Sequence, residues 1–538
     1  MRADIGRNDS HPPLIRAMLN PAVYGHAVTR VRLIETHISW VLLTGAFAYK
    51  LKKPVSLGFA DFSTLEKRRA ACDEELRLNK RLASRMYLGV VPIYGSVDEP
   101  KLFDSGDVIE YAVKMRQFPD DNRLDRFIDD GRLNDDMVQD LAREVAEFHS
   151  RVPIAGPGQH AQESERRFAD IEDNFETINR LYGDRADAKL LQAVREWSLD
   201  SLIENGDRFR KRRGDGFVRE CHGDMHLANM AYMDDKVTIF DALEFNPELR
   251  WIDVMSEVAF VIMDLLHHER PDLASVFLST YLESTGDYEG LALLRHFLVY
   301  RAMVRAKVSA IRASQETADD DARRKALEDT GVFIDLAGRC MDYGGDPFML
   351  ITCGVSGSGK TLLSGRLVGQ LDAIRIRSDV ERTRHPAPDG DRYSRAARNH
   401  IYERLESCAD KILAAGLAVI VDATFLDRRQ RTRFWNLANE YSVPFCILCP
   451  VAPREELKRR VTARQAAGTD ASEATVPVLE RQLEDMDPLS SAEREFALEI
   501  ESVADADLTP VARFLRRSGR LPLAHRMRRY GVLPRESQ

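Results

Sequence analysis

Between Gly354 and Thr361 the chain reads GVSGSGKT, which satisfies the spacing G-x-x-x-x-G-K-[ST] at every fixed position. An apolar run at 348–353 precedes it and a helix-patterned stretch at 362–371 follows, so the spacing predicts a strand, a glycine-rich loop and a helix in succession. In such a loop the backbone N–H groups of Gly354, Val355, Ser356, Gly357, Ser358 and Gly359 turn inward around a polyphosphate, and the helix N-terminus adds partial positive charge. Lys360 is then expected to bridge the outer phosphates and Thr361 to hold Mg²⁺, which makes ATP and Mg²⁺ the implied cofactors. The loop alone leaves open whether the phosphate passes to water or to a substrate.

A chain of 538 residues exceeds what one hydrophobic core supports, so at least two domains are expected. The net charge of −9 provides no general attraction to nucleic acid or to an anionic membrane surface, which puts small acceptors ahead of polynucleotides. The seven cysteines share no metal-ligand spacing except Cys446 and Cys449, and that pair lies within an apolar run that reads as a buried strand. Reduced thiols, no basic-then-apolar N-terminal segment and no apolar run of spanning length lead to the expectation of a cytoplasmic protein without a lipid anchor.

In the N-terminal half, residues 37–51 read as two strands around a turn at Gly45, ending in a cluster that includes Lys50 and Lys52. A strand lysine there has the placement for ATP phosphates, although lysines beside a strand also mark a solvated edge. Residues 67–86 are helical in pattern, and Glu75, with Glu74 as the alternative, is the candidate for an ion pair that positions such a lysine. Further on, ECHGDMHLANM at 220–230 places Asp224 and Asn229 at the spacing D-x-x-x-x-N. One carboxylate must take or orient the proton of an acceptor hydroxyl while an amide a few residues on reaches the metal, and Asp241, after a strand-like 236–240, stands where a second metal carboxylate belongs. His222 and His226 fall in a loop without the glutamate of a HExxH site, and His149 reads as a packed or capping histidine.

The segments HGDMHLANM, IFDALEFN and RWIDV resemble the aminoglycoside phosphotransferase and fructosamine kinase group, a branch of the protein-kinase-like fold. That resemblance implies Asp224 as catalytic base, Asn229 and Asp241 as Mg²⁺ ligands, Asp253 as a structural acid buttressing the catalytic loop, and Lys50 or Lys52 paired with Glu75 on ATP. The chain departs from the group in lacking a glycine-rich loop over the phosphates, with only Gly45 nearby, and in reading ALEFN after Asp241, where Glu244 is an additional acidic candidate.

After the phosphate loop, a short strand at 373–376 delivers Asp379, one unit past the loop, where a carboxylate can receive the proton of an acceptor hydroxyl, and Arg382 follows where it can clamp an anionic substrate. The apolar strand 417–421 ends in Asp422, the position of a carboxylate holding Mg²⁺. A helix at 455–465 carries Arg460 and Arg464, and the small-residue stretch 466–475 suits a flap that closes them over the nucleotide. GVSGSGKT, the SDVER segment, DATF at 422–425 and RVTAR resemble P-loop kinases of the gluconate kinase, zeta-toxin and polynucleotide kinase type.

Together the halves resemble a bacterial family that fuses an aminoglycoside-phosphotransferase-like domain to a P-loop kinase. The expected architecture is a two-domain α/β protein. A protein-kinase-like α+β domain with a large helical lobe occupies 1–345, a P-loop domain with a parallel sheet occupies 346–510, and a basic tail follows at 511–538. The implied activity is ATP- and Mg²⁺-dependent transfer of the γ-phosphate to hydroxyls of small, sugar-like metabolites. Two alternatives stand beside it: an N-terminal module that binds nucleotide as a regulator, and a polynucleotide 5′-end kinase, against which the net charge of −9 argues. The acceptor's identity and the oligomeric state are open at this level.

Overall fold

The computed structural model describes residues 11–57, 60–102, 104–156, 163–315, 320–386, 395–467 and 475–518. The chain divides into two compact units, one made of Met1–Leu133, Glu147–Gln159 and Arg213–Glu257, the other of Asn134–Ala146, His160–Arg212 and Val258–Gln538. Among the described residues no helix is long and apolar enough to cross a membrane.

The first unit is built on a six-stranded antiparallel sheet. Its strands are β1 (Arg32–Glu35), β2 (Ser39–Leu43), β3 (Phe47–Lys52), β4 (Tyr87–Gly95), β5 (Pro100–Lys101) and β6 (Val108–Arg116), in the order β1-β2-β3-β6-β4-β5. Helix α1 (Leu65–Asn79) follows β3 and packs on β6 and β4, its first turn capped by the Thr64 hydroxyl accepting from Lys67 N–H. One face of the sheet buries Trp40, Leu42, Tyr49 and Leu51 against Ile15 and Met18 of the N-terminal helix Pro13–Met18. Strand alternation therefore sends Ala48, Lys50 and Lys52 to the face that α1 covers. Small antiparallel pairs add to the unit, among them β7 (Val218–Glu220) with β10 (Trp251–Asp253), and the hairpin β8 (Met230–Met233) with β9 (Lys236–Ile239). Asp234 and Asp235, at φ of 50° and 61°, make the β8–β9 turn with both central residues left-handed, the geometry that matches strand twist.

The second unit holds a five-stranded, wholly parallel sheet together with a set of helices. The helices are α2 (Glu163–Tyr182), α3 (Ala188–Glu204), α4 (Pro271–Thr285), α5 (Leu291–Gln315) and α6 (Asp320–Cys340). The strands are β11 (Met349–Thr352), β12 (Ala373–Arg377), β13 (Ala418–Asp422), β14 (Phe445–Val451) and β15 (Ala497–Glu501), ordered β12-β13-β11-β14-β15. They alternate with α7 (Lys360–Gln370), α8 (Ser378–Arg384), α9 (Arg395–Ala414), α10 (Arg428–Glu440), α11 (Arg454–Ala467), α12 (Val476–Asp485) and, after β15, α13 (Thr509–Ser518). Strands buried on both faces read as continuous apolar runs, which explains MLIT, AVIV and FCIL. Because β11 lies between β13 and β14, the chain reverses its winding there, and the crevice at the strand carboxyl ends opens beside the loop Gly354–Thr361.

The second unit continues across the Gly344–Gly345 turn at which the sequence suggests a boundary. Helix α4 packs on β12 and α7, and Arg295 of α5 donates to Tyr343 O at 2.6 Å. At the other end, α13 straddles the expected limit at 510, with Val511 and Leu515 fully buried against Leu363, Leu367 and Leu448. Arg513, Arg516 and Arg517 lie on that helix, whereas Arg520, Arg526, Arg528 and Arg529 fall outside the described residues. A fragment beginning at 346 would leave β12 and α7 without the α4 side chains that cover them. We expect it to melt well below the full chain in a thermal unfolding series and to aggregate, and equal melting of fragment and full chain would refute the shared core.

Candidate functional site

In the first unit, β3 and α1 bring a knot of charge together. Lys50 Nζ lies 2.9 Å from Glu75 Oε1 and 2.5 Å from Asp241 Oδ1, while Lys52 Nζ lies 2.5 Å from Glu75 Oε2 and also pairs with Glu244. Burial works against the charged form of both lysines, but the facing carboxylates outweigh it and hold both pKa values above the ordinary lysine range. Glu75, despite complete burial, is held down at about 2 by the two ammonium groups. The choice between Glu74 and Glu75 is thus made by the helix face. Glu75 takes the lysines, and Glu74 turns the other way to Arg77 and Arg250 at 2.7 and 2.6 Å. Glu244 is buried as the partner of Lys52, a role in charge balance. Gly45 sits in the β2–β3 turn, whereas the β1–β2 connection, which neighbours Lys53 through Lys53 N–H to Ile38 O, is the short turn of Thr36, His37 and Ile38.

Asp241 has φ of +66°, a conformation that a non-glycine residue holds only under outside constraint. The constraint is visible: Asp241 N–H donates to Tyr87 Oη at 3.3 Å, and Ala242 N–H donates to Asn79 Oδ1 at 2.9 Å. Asn79 is one turn beyond Glu75 on α1, so the helix that positions the lysines also positions Asp241.

The loop bearing Asp224 is held from several sides. Asn229 Nδ2 donates to Asp224 Oδ2 at 2.9 Å and to Asp224 O at 3.0 Å, and Phe240 N–H donates to Asn229 O at 2.9 Å, placing Asn229 beside the Asp241 segment. His222 donates from Nε2 to Phe240 O at 2.9 Å and accepts from Asp224 N–H on Nδ1 at 3.3 Å, which occupies both ring nitrogens within the loop. Glu257, which the sequence did not single out, is a buried acid that buttresses the loop. Its carboxylate accepts from His222 N–H and Gly223 N–H at 2.9 and 2.7 Å and from His149 Nε2 at 3.0 Å. Asp253, also buried, accepts from Met255 N–H at 2.8 Å at the start of helix Val254–His267. Sequence reading missed Arg81 and Glu220 as well. Arg81 donates to the carbonyls of Glu220 and Cys221 at 2.7 and 3.0 Å, and Glu220 gathers Arg77 and Arg250. Arg81 lies just past the end of α1 and Glu220 ends β7, and neither position carries a sequence signal of what it faces.

In the second unit, Gly359 at φ +96° is the residue before α7, and a side chain there would collide with Ser502. Gly357, at φ +81°, has Leu457 O 2.9 Å from where a Cβ would stand. Lys360 Nζ donates to Val355 O at 2.8 Å, and Thr361 opens the helix. Asp422, at the buried end of β13, accepts from Ser364 Oγ at 3.1 Å. Burial pushes the Lys360 ammonium below its ordinary pKa, Asp422 and Asp379 pull the other way, and the charge of Arg464 adds to the depression. Those four side chains from α7, β13, α8 and α11 therefore share one electrostatic locus. Arg460 is placed differently from the expected closing arginine: it ties Glu456 at 2.7 Å to Ser502 O at 2.6 Å and reaches Gly357 O at 3.4 Å. Arg382 Nη1 bonds Asp379 Oδ1 at 2.7 Å. Gln482 of α12 accepts from Ser356 N–H at 2.7 Å, a contact no sequence signal announced. Most of the expected flap, 468–474, lies outside the described residues.

The loop fits a polyphosphate on its own terms. Ser358 Oγ is buried with no hydrogen-bond partner among the described residues, and it lies inside a run of left-handed glycines at a helix N-terminus. The Thr361 hydroxyl and the Asp422 carboxylate are hard oxygen donors suited to Mg²⁺.

These features define a two-domain α/β protein with an antiparallel sheet and a buried lysine–glutamate knot in its first unit and a P-loop beside a parallel sheet in its second. Residues 349–489 match the family model described as AAA domain. The chain is 30% identical over 474 residues to the uncharacterized protein Rv2004c of Mycobacterium tuberculosis, covering 84% of this chain and 90% of that one, and equally to Mb2027c of Mycobacterium bovis. It belongs to the family of these mycobacterial proteins. Among solved structures it is similar to an amicoumacin kinase in complex with AMP-PNP, Ca²⁺ and Ami (14% identity, 60% of this chain and 92% of that chain, TM-score 0.37). It is also similar to a gluconokinase from Sinorhizobium meliloti 1021 (19% identity, 34% and 97%, TM-score 0.23).

Two consequences are measurable. Glu257 is held at about 2 against its ordinary 4.5: burial raises it, and the His149 hydrogen bond, the imidazoles and the Gly223 N–H more than reverse that. A depressed folded-state pKa contributes stability that is complete above about pH 4.5 and lost as pH falls toward 2, so urea midpoints should drop across that window and drop less in Glu257→Gln. Lys52→Met leaves Glu75 and Glu244 short of a buried counter-charge, and denaturant titration should register a loss of about 3–5 kcal/mol.

Proposed function

We propose that the chain is an ATP- and Mg²⁺-dependent phosphotransferase with two modules, each passing the γ-phosphate of ATP to a hydroxyl group of a small, sugar-like metabolite. The observation that carries the proposal is the repetition of one chemical set on two unrelated scaffolds. Lys50, Asp241, Asn229 and Asp224 are gathered in the first unit, and Lys360, Thr361, Asp422 and Asp379 in the second. In each set the lysine binds phosphate oxygens, one carboxylate with an amide or hydroxyl holds the metal, and the remaining carboxylate takes the proton of the acceptor hydroxyl. Mg²⁺, when bound, neutralises charge on the transferring phosphate. Asp224 is oriented for its part by Asn229, and Asp379 by Arg382. Arg464, beside Lys360, adds positive charge near the developing charge of the transition state. The acceptor in this reading is a small molecule rather than a polynucleotide, in keeping with the net charge of −9, and the free cysteines are compatible with a reducing compartment such as the cytoplasm.

A second reading is favoured by one observation. The β1–β2 connection is closed on itself by Thr36 N–H to Ser39 O at 2.9 Å and contains no glycine, which suits a first module that holds nucleotide as a regulator without turnover. Transfer of labelled γ-phosphate from ATP into a pooled cytosolic metabolite extract distinguishes the two. With two active modules, Asp224→Ala and Lys360→Ala each remove a different labelled product, or successive steps of one, by about 100-fold or more. If Asp224→Ala changes nothing while Lys360→Ala removes all transfer, the first module is regulatory. No labelled product in any arm refutes the phosphotransferase.

A further inference from the structure

Strand β12 is the edge of the parallel sheet, and it delivers Asp379 at its end. An edge strand normally faces solvent with unpaired amides. Here the edge is sealed by α4, a helix more than sixty residues upstream of the P-loop, whose Ser279 hydroxyl accepts from Arg375 N–H at 3.0 Å. The next turn of α4 presents Glu283, and its carboxylate is shared by the two arginines of β12: Arg377 Nη1 at 3.0 Å from Oε1 and Arg375 Nη2 at 3.3 Å from Oε2. All three side chains are mostly buried, at 15–19% exposure.

Each arginine leads to the reaction centre. Arg375 Nη1 also donates to Thr361 O at 3.3 Å, the carbonyl of the residue whose hydroxyl is the expected metal ligand. Arg377 is paired in register with Asp422 and is followed two residues later by Asp379. The end of α4 is held as well: Arg384 of α8 donates to Glu283 O and pairs with Glu381, and Gly286, the left-handed cap of α4, leaves only 3.0 Å between its virtual Cβ and Arg384 Nε. Helix α7 is shaped to admit these contacts. Gly365 and Gly369, one turn apart, face Arg375 and α4; a Cβ on Gly365 would stand 3.0 Å from Arg375 Nη1, and one on Gly369 would stand 3.3 Å from Asp272 O. Glycine inside a helix costs about 1 kcal/mol relative to alanine, and close approach is what it provides here.

We infer that α4 is a working part of the P-loop site and that Glu283 is its positioning residue. One carboxylate, through two arginines, sets the spacing between the loop residue Thr361 and the paired ends of β12 and β13, which deliver Asp379 and Asp422. The inference rests on the phosphotransfer reading of the second unit. It assigns the site a residue that lies outside the 349–489 match and has no motif of its own.

The test uses the full chain carrying Asp241→Asn, so that nucleotide binding reports the second unit. Calorimetry compares Mg-ADP with Mg-ADP plus aluminium fluoride, a mimic of the transferring phosphate. Misplacement by a fraction of an ångström weakens binding to the transition-state mimic more than to the ground state. Glu283→Gln is therefore expected to lower affinity for the mimic about 10-fold while leaving Mg-ADP within about 2-fold, with Glu283→Asp recovering part of the loss. Arg377→Gln should give the same signature, and the double variant should lose little more than either single one, since both remove one interaction. Unfolding midpoints recorded in parallel separate this from loss of fold. If mimic and ADP affinities stay at the parental level in Glu283→Gln, or fall together, Glu283 only braces the sheet and the inference is overturned. If the parental chain itself shows no preference for the mimic, or Lys360→Ala leaves that preference intact, the phosphotransfer reading of the unit fails and this inference with it.

Discussion

Charge removed from water must be met by charge, and both units are arranged around that requirement. Lys52, at 1% exposure, has carboxylates on two sides, and Glu75, at 0%, has two ammonium groups. Neither set is tolerable alone, because an unpaired buried ion costs several kcal/mol. The pairing ties strand β3, helix α1 and the segment beyond Asp241 into one object, and the left-handed Asp241 backbone is held by the same helix through Asn79. In the second unit the half-buried Lys360 likewise has Asp422 and Asp379 acting on its charge, against that of Arg464.

The parallel sheet supplies what the antiparallel one does not: its strands all end on one side, so Asp422 and Asp379 arrive beside the loop without a special turn for each. A parallel sheet must be covered on both faces, and its edges need protection. Helix α4 meets part of that need with a hydroxyl on a strand amide and a carboxylate on two arginines, which makes a segment well ahead of the P-loop in sequence part of the second unit's interior.

Much of this was legible in the residues. GVSGSGKT can serve few other purposes, because its glycines occupy left-handed positions and its lysine folds back onto the loop carbonyl of Val355. The D-x-x-x-x-N spacing at Asp224 likewise corresponds to a side-chain hydrogen bond within the loop. Other assignments were not decidable. Glu74 and Glu75 are adjacent and chemically identical; helix rotation sends one to Arg250 and the other to the lysines. Glu257, in a helix well beyond the loop in sequence and without a motif of its own, is a residue whose carboxylate reaches the loop amides. Arg460 and Arg464 differ by one turn on α11, and one braces Ser502 while the other is sensed by Lys360.

By itself, then, the sequence determined the local chemistry: which segments are strands buried on both faces, where a loop can wrap phosphate, and which short-range spacings bring a carboxylate to an amide. These follow from periodicity and from backbone conformations open only to certain residues, and both are properties of neighbouring positions. Only the tertiary structure decided the long-range partners: Glu283 on Arg375 and Arg377, Glu257 on the Asp224 loop, Glu244 on Lys52, and α13 as core. Arginine and glutamate are abundant and mostly solvated, so their presence carries no address. Which of them meet is settled when packing removes the water between them.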